Sequence, residues 1–198
     1  MADEALRATF AVVRALEEVG LAYCVGGSLA SSLHGIPRST QDSDLVVDLP
    51  PDRVPDLFEA LGDQFYADED RVRLAVSRGS GFNVIHLETM FKVDLFVLGD
   101  DPLARSEMSR RTKHRIGERE EESLYVASAE DTVLQKLLWY RLGRNVSDRQ
   151  WRDVIGVLQV QSDGIDREYL EQWAARLELV ELLEEAVTEA SGRKGGGQ

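Results

Sequence analysis

A short apolar strand that ends abruptly in two glycines is the feature that most constrains the fold of this chain. Leu21–Val25 has the length and apolar character of a buried strand, and Gly26 and Gly27 interrupt it. Ser28–Leu33 then follows the spacing of a short helix. A buried strand that passes directly into a helix predicts a sheet with helices packed against it.

Two aspartates precede the next strand at alternate positions. Leu45–Leu49 is the second predicted strand, and Asp42 and Asp44 lead into it. Side chains two residues apart on an extended chain share a face, so these two carboxylates can hold one divalent cation between them. Taken alone, the pair is also compatible with a helix cap or a solvated strand entrance.

A third aspartate lies in an apolar strand further along the chain. Phe82–Leu87 and Met90–Leu98 are joined by a tight connection, which predicts an antiparallel pair. One alternating face of the second strand is wholly apolar, and Asp94 lies on the other, partly apolar face. Because an isolated carboxylate in such surroundings needs a cation or a proton, Asp94 is the natural third ligand for Asp42 and Asp44.

The rest of the pattern alternates helices with strands and then becomes helical. Asp3–Val19 has helical spacing, Pro50 opens a helix to about Leu61, and a weaker helix falls within Asp70–Ser77. Beyond a strand at Leu124–Ala127, the predicted helices are Ala129–Leu142, Ser147–Val160, Arg167–Leu177 and Val180–Ala190. We therefore predict an α+β chain with a mixed sheet flanked by helices in a core at 1–127, a helical lobe at 128–190 and a disordered tail at 191–198.

The charge of the chain limits its partners. Acidic residues outnumber basic ones 36 to 23, a net charge of -13, so the overall field repels long nucleic acid and any such contact must be local. The one notable basic cluster, at 110–115, reads as a mixed-charge loop or as a patch that faces phosphate. No apolar stretch approaches the roughly 20 residues that span a bilayer, so we expect a cytoplasmic protein without a membrane partner.

Glycines and carboxylates together indicate metal-assisted phosphate chemistry. Gly26 and Gly27 let backbone N–H groups approach a polyphosphate at the start of a helix, and Ser28 adds a hydroxyl, although a glycine pair by itself marks only a turn. Three carboxylates can hold two Mg²⁺ ions, one with a triphosphate and one that activates a hydroxyl. This combination predicts phosphoryl or nucleotidyl transfer, with Mn²⁺ as an alternative metal.

Three segments carry a resemblance to a known family. GGS at 26–28, RSTQDSDLVVD at 38–48 and KVDLFVL at 92–98 resemble the nucleotidyltransferase fold of the DNA polymerase β superfamily, most closely small bacterial nucleotidyltransferases related to AbiEii-type toxins. The resemblance implies metal binding by Asp42, Asp44 and Asp94. It implies that the donor triphosphate is held by Gly26, Gly27 and Ser28, and the approach to the acid pair matches the family at Arg38 and Thr40.

A lysine in the first C-terminal helix is the last candidate. Two stripes on that helix place Lys136 in a partly covered position, where it needs either a carboxylate or a bound phosphate as a partner. Relatives in the family carry a lysine in a comparable EDxxxxK helix, here Glu130, Asp131 and Lys136. We therefore predict that Lys136 contacts donor phosphates.

The expected activity is transfer of a nucleoside monophosphate from an NTP to an acceptor, in a cleft between the core and the helical lobe. The acceptor is open between a small molecule, tRNA and a protein, as are an antitoxin partner and self-association. One alternative is a catalytically silent nucleotide-binding or protein-interaction module of the same fold. A metal-dependent phosphohydrolase or nuclease is the other, and the glycine-serine turn favours a triphosphate donor over it.

Overall fold

The computed structural model describes residues 2–40, 42–117 and 122–192, with side chains described from Glu4 onwards. It has a mixed α/β architecture, and the predicted fold class is confirmed. The chain divides into two compact units, which are described separately below. Unit 1 comprises residues 1–26 and 39–127, and unit 2 comprises residues 27–38 and 128–198. Within the predicted tail, Ser191 and Gly192 belong to the last helix, and residues 193–198 lie outside the described part of the chain.

Unit 1 is built on a seven-stranded sheet in the order β3-β4-β5-β2-β1-β7-β6. Its strands are β1 (Tyr23–Val25), β2 (Ser43–Val47), β3 (Phe65–Tyr66), β4 (Gly81–His86), β5 (Phe91–Val97), β6 (Thr112–Arg115) and β7 (Ser123–Val126). The central strand β2 runs antiparallel to β1 and parallel to β5. As predicted, β4 and β5 pair antiparallel.

Helices pack against both faces of this sheet. On one face lie α1 (Ala2–Glu18), α3 (Val54–Leu61) and α4 (Glu69–Arg78), with short 3₁₀ turns on either side of α3. On the other face lies α5 (Pro102–Arg110), whose Met108 packs against Cys24 and Val46. Buried side chains alternate with more exposed ones along β2, and α1 presents Val12 and Leu16 fully buried. Apolar side chains recur every two residues on the strands and about every 3.6 residues on the helices, so each element has an apolar face that packs against its neighbour.

Unit 2 is entirely helical among its described residues. Its helices are α2 (Gly27–His34), α6 (Ala129–Leu142), α7 (Asp148–Val160), α8 (Arg167–Arg176) and α9 (Val180–Gly192). Side-chain caps begin several of them, as at Ser128, whose hydroxyl accepts from the Asp131 N–H at 3.1 Å. Helix α2 and the loop to Arg38 thus group with the C-terminal helices, whereas the sequence alone placed them in the N-terminal core.

Two glycines explain why α2 belongs with the C-terminal helices. A β-carbon on Gly35 would lie 2.7 Å from the Val157 nitrogen and 2.8 Å from the Gly156 carbonyl carbon. A β-carbon on Gly156 would in turn lie 3.3 Å from the Ile36 nitrogen. The two backbones therefore touch directly, and the end of α2 is seated on the middle of α7.

Strands β3 and β6 were missed by the sequence analysis. Strand β3 is only two residues long, and β6 carries the sequence TKHR at the edge of the sheet, where most of its side chains are exposed. The basic segment predicted as a loop is therefore partly a strand paired with β7, and the Arg111 guanidinium lies 5.2 Å from the centre of the Tyr125 ring. Among the described residues, no helix combines the length and apolarity needed to cross a membrane.

Candidate active site

Two of the three predicted acids of unit 1 lie side by side on one face of the sheet. Asp44 on β2 and Asp94 on β5 are direct partners in a parallel pair, so their side chains point to the same face. The row continues outwards to Asn83, the partner of Asp94 on β4. It continues inwards to Gly26, whose N–H donates to the Asp44 carbonyl at 2.9 Å. The sheet thus sets two acids side by side, with a glycine on one flank and an amide on the other.

The alternation of β2 explains why the acids stay accessible. Ser43, Leu45 and Val47 are buried against the core, so Asp44 faces the opposite, half-exposed side. Ser43 stands between the two acids, and its hydroxyl lies 2.7 Å from that of the buried Thr9. The polar residue is thereby satisfied inside the core and leaves the acid face unchanged.

Asp42 is held by its own approach segment. The Thr40 hydroxyl donates to the Asp42 carbonyl at 2.7 Å and lies 3.0 Å from Asp42 Oδ1. This local turn fixes the chain two residues before Asp44. Thr40 therefore has a visible structural role in positioning the first acid.

Asp94 has a different environment from the isolated buried acid that the sequence suggested. Its side chain is 21% exposed and forms an ion pair with Lys92 on the same strand. An accessible pair of this kind is weak, and water or a metal ion can replace the ammonium. Among the residues that the structure describes, no three histidine, cysteine, aspartate or glutamate side chains converge closely enough to hold a metal ion. Ligation by Asp42, Asp44 and Asp94 together would therefore require side-chain rotation, and Asp94 would exchange its Lys92 partner for the metal.

A fourth carboxylate lies beside this row and was missed by the sequence analysis. Glu107 on α5 is 3% exposed, and its Oε1 lies 3.5 Å from the point that a β-carbon on Gly26 would occupy. Nothing in the helical pattern of α5 distinguishes this acid from the solvent-facing ones around it. Only the packing of α5 near the end of β1 reveals it.

The remaining candidates form a buried polar network in unit 2. Asp153 on α7 accepts from Arg38 through both carboxylate oxygens, at 2.8 Å each, and from Lys136 Nζ at 2.8 Å. Arg38 also donates to the Ser28 hydroxyl at 2.6 Å. Lys136 and Asp153 are each about 6% exposed as side chains, so the anion that Lys136 required is, in this structure, a carboxylate.

Charge balance within the network determines how Asp153 titrates. Burial raises the pKa of Asp153, but hydrogen bonds from Arg38 and Lys136 outweigh burial and lower it below its ordinary value of 3.8. Arg38 and Lys136 thus share one carboxylate, and Arg38 links it to the Ser28 hydroxyl. Of the acids in the EDxxxxK pattern, Glu130 accepts from the Asp166 N–H at 2.9 Å, and Asp131 accepts from Tyr169 and Ser128, so both stabilise helix ends and packing.

Solved structures share this fold across nearly the whole chain. An antigenic nucleotidyltransferase-like protein from Paracoccidioides brasiliensis matches with a TM-score of 0.56 and 16% identity, over 95% of this chain and 94% of its own. The solution structure of the antibiotic-resistance factor ANT(2'')-Ia matches with a TM-score of 0.55 and 14% identity, over 98% of both chains. The same factor in complex with adenylyl-2''-tobramycin matches with a TM-score of 0.55 and 13% identity, over 87% of this chain and 96% of its own.

Similarity at this level of identity establishes the fold, and this chain has the fold of the nucleotidyltransferases. No protein-family model matches the sequence, and no curated protein matches it.

Proposed function

We propose that this protein is a metal-dependent nucleotidyltransferase that moves a nucleoside monophosphate from an NTP to an acceptor. The observation that carries the proposal is the register of β2 and β5, which sets Asp44 beside Asp94 with Asp42 two residues ahead. Carboxylate oxygens are the ligands that Mg²⁺ prefers, and adjacent like charges on one face favour a bound cation. The shared nucleotidyltransferase fold supports the same reading.

The carboxylates have distinct proposed roles. Asp42 and Asp44 would ligate two Mg²⁺ ions, and Asp94 would hold the ion nearest the acceptor and help to activate its hydroxyl. When bound, such ions neutralise charge on the triphosphate and favour an in-line displacement. Breaking the accessible Lys92–Asp94 pair costs little, so that pair is compatible with a site that fills only when metal and nucleotide arrive.

The donor's phosphates are proposed to contact the glycine-serine turn, Arg38 and Lys136. Arg38 and Lys136 both donate to Asp153, and Arg38 also donates to the Ser28 hydroxyl. A carboxylate that orients two cations keeps them in place for a further anion. In this proposal Asp153 is a positioning residue, and Thr40 positions Asp42.

A direct assay tests the proposal. The protein is incubated with each α-labelled NTP and Mg²⁺ or Mn²⁺, alone and with cell extract separated into metabolites, RNA and protein. We expect one fraction to acquire label while pyrophosphate is released, and that fraction identifies the acceptor. Free NMP as the only product would instead indicate a phosphohydrolase.

Asp44→Ala is the decisive variant, and Asp48→Ala is its matched control. Asp48 follows β2, is exposed and lies beyond the paired acids. Since metal ions supply several kcal/mol of charge stabilisation, Asp44→Ala should lower transfer by about a thousandfold or more, with an unchanged circular dichroism spectrum. Asp48→Ala should keep its activity. Equal turnover in both variants would overturn the assignment of Asp44.

A catalytically silent nucleotide-binding module is the second candidate. It is favoured by the ion pairing of Asp94 with Lys92 and of Asp153 with Arg38 and Lys136. Binding of Mg²⁺–NTP without pyrophosphate release in any fraction would select this candidate.

A role in a toxin–antitoxin pair is tested separately, by comparing bacterial growth during expression of the wild type and of Asp44→Ala.

A further inference from the structure

A groove lies in unit 1 between α4 and the outer edge of β4. Its volume is about 360 Å³, and its walls include Tyr66, Arg71, Leu74, Arg78, Gly81 and Asn83. None of the proposed catalytic or donor-binding residues lines it.

One wall of the groove is an open strand edge. Strand β3 pairs only with Ile85 and His86 of β4, and the chain then leaves the sheet to begin α4. The Ser80 carbonyl accepts from the Val97 N–H at the end of β5, so the backbone groups of even-numbered residues of β4 bond towards β5. The Leu87 N–H donates to the Gln64 carbonyl before β3, so those of odd-numbered residues point outwards. Gly81 and Asn83 therefore direct their backbone N–H and C=O groups away from β5, at the edge that lines the groove.

The opposite wall is one face of α4. Arg71, Leu74 and Arg78 follow one another at helical spacing, and the two arginines are about 10 Å apart along the axis. The Arg71 side chain is 82% exposed and only weakly paired with Asp68, at 3.6 Å. Arg78 has no ion-pair partner within the described parts of the chain. Leu74, between them, is 47% exposed.

We propose that this groove binds an extended peptide that adds to the sheet as a strand beside β4, with acidic, apolar and acidic side chains at alternate positions facing α4. Main-chain bonds to Gly81 and Asn83 would provide affinity, and the alternate side chains would provide specificity, as in other sheet-edge recognition. A strand rises about 3.4 Å per residue, so acids four positions apart span about 14 Å and can reach both arginines. The occupant is acidic because the groove carries Arg71 and Arg78 against the single carboxylate of Asp68, in a chain of net charge -13.

A fluorescein-labelled peptide pool tests the proposal. Its members read Ser-Glu-Thr-Φ-Thr-Glu-Ser, with Φ an equal mixture of Val, Leu, Ile, Phe and Tyr, and fluorescence anisotropy measures the affinity. We expect binding to the full chain, together with slower amide hydrogen exchange at Gly81 and Asn83. Methylating the peptide nitrogens at one set of alternate positions should abolish binding, and methylating the other set should not, because an added strand bonds through every second residue.

Charge variants with a matched control complete the test. The double variant Arg71→Glu with Arg78→Glu should lower the affinity for the acidic pool by about tenfold or more, because two exposed ion pairs become repulsive. It should bind a pool in which lysine replaces both glutamates. Arg73→Glu with Arg105→Glu makes the same charge change outside the groove, at arginines paired with Glu69 and Asp100, and should leave the affinity unchanged.

Several results would overturn the proposal. They are no binding of the acidic pool at millimolar concentration, equal weakening by both double variants, or exchange protection confined to other segments. A monomer–dimer equilibrium that only the groove variant abolishes would identify a second copy as the occupant. If inorganic phosphate displaced the peptide pool completely at phosphate concentrations near its own dissociation constant, the groove would be a binding site for a small anion and not for a peptide.

Discussion

Carboxylates in the two units differ in how deeply they are buried. In unit 1, Asp44 and Asp94 are neighbours on a half-exposed sheet face, where Lys92 forms an ion pair with Asp94. In unit 2, Asp153 is buried and faces both Arg38 and Lys136. A buried network with its partners in place supports the fold, whereas adjacent acids at a surface leave room for a cation from outside. We therefore expect the carboxylate of Asp153 to stabilise the fold of unit 2, and the carboxylates of Asp44 and Asp94 to be accessible to a metal ion in unit 1.

Removal of Asp153 should have the largest effect on stability. Asp153→Ala leaves Lys136 buried and Arg38 half-buried without their anion, so the free energy of unfolding should fall by about 3–5 kcal/mol. Urea denaturation measures this loss. Asp148→Ala on the same helix removes a carboxylate that is 88% exposed, and it should cost less than about 1 kcal/mol. Equal losses from both variants would show that the buried network stabilises the protein no more than an exposed carboxylate does.

Metal should stabilise the protein through unit 1 only. At a Mg²⁺ concentration about a hundred times the dissociation constant, the free energy of unfolding should rise by about 2.7 kcal/mol. Asp44→Asn should abolish this rise, because an amide is a much weaker ligand for Mg²⁺ than the carboxylate beside Asp94. A rise that persists in Asp44→Asn would place the metal elsewhere.

The stabilisation that Asp153 provides should be lost at low pH. Since the pKa of Asp153 in the folded protein is below its ordinary value of 3.8, its stabilisation is complete above that value and is lost as the pH falls through the lower folded-state pKa. The stability difference between the wild type and Asp153→Asn should therefore be constant above about pH 5 and shrink below about pH 4. Urea titrations at a series of pH values measure it, and a difference that grows on acidification would contradict the assignment.

Lys92 should have the smallest effect on stability and the opposite effect on metal affinity. Lys92→Met removes an accessible ion pair, so the free energy of unfolding should change by less than about 1 kcal/mol. Mg²⁺ should bind more tightly, because the ammonium no longer competes for Asp94. Calorimetric titration measures the affinity, and weaker binding would show that Lys92 supports the site instead.

Local pattern predicted most of the elements but not the contacts between distant ones. The alternation around Asp42 and Asp44 was enough to predict that they share a strand face. Their alignment with Asp94 depends on parallel pairing of β2 with β5, which no local pattern encodes. Lys136 was predicted to need an anion, but its partner Asp153 lies on the next helix, and the second cation, Arg38, lies 115 residues from Asp153.

Elements without a hydrophobic signature were the ones that escaped prediction. Strand β6 is an edge strand with charged, mostly exposed side chains, so it lacks the apolar alternation that marks a half-buried strand. Glu107 was overlooked for the opposite reason, because an acid on a helix ordinarily faces solvent and this one is buried. In both cases the tertiary environment decides the outcome and the local sequence does not reveal it.

The backbone contact between Gly35 and α7 has a consequence for how this protein can evolve. Gly35 lies three residues before Arg38, and Gly156 lies three residues after Asp153, so the glycine crossing fixes the distance over which the two charges meet. A side chain at either glycine would push the two segments apart and lengthen the hydrogen bonds between Arg38 and Asp153. Positions that carry no functional group are therefore under the same constraint as the charges themselves, and a survey of tolerated substitutions would rank Gly35 beside Asp153.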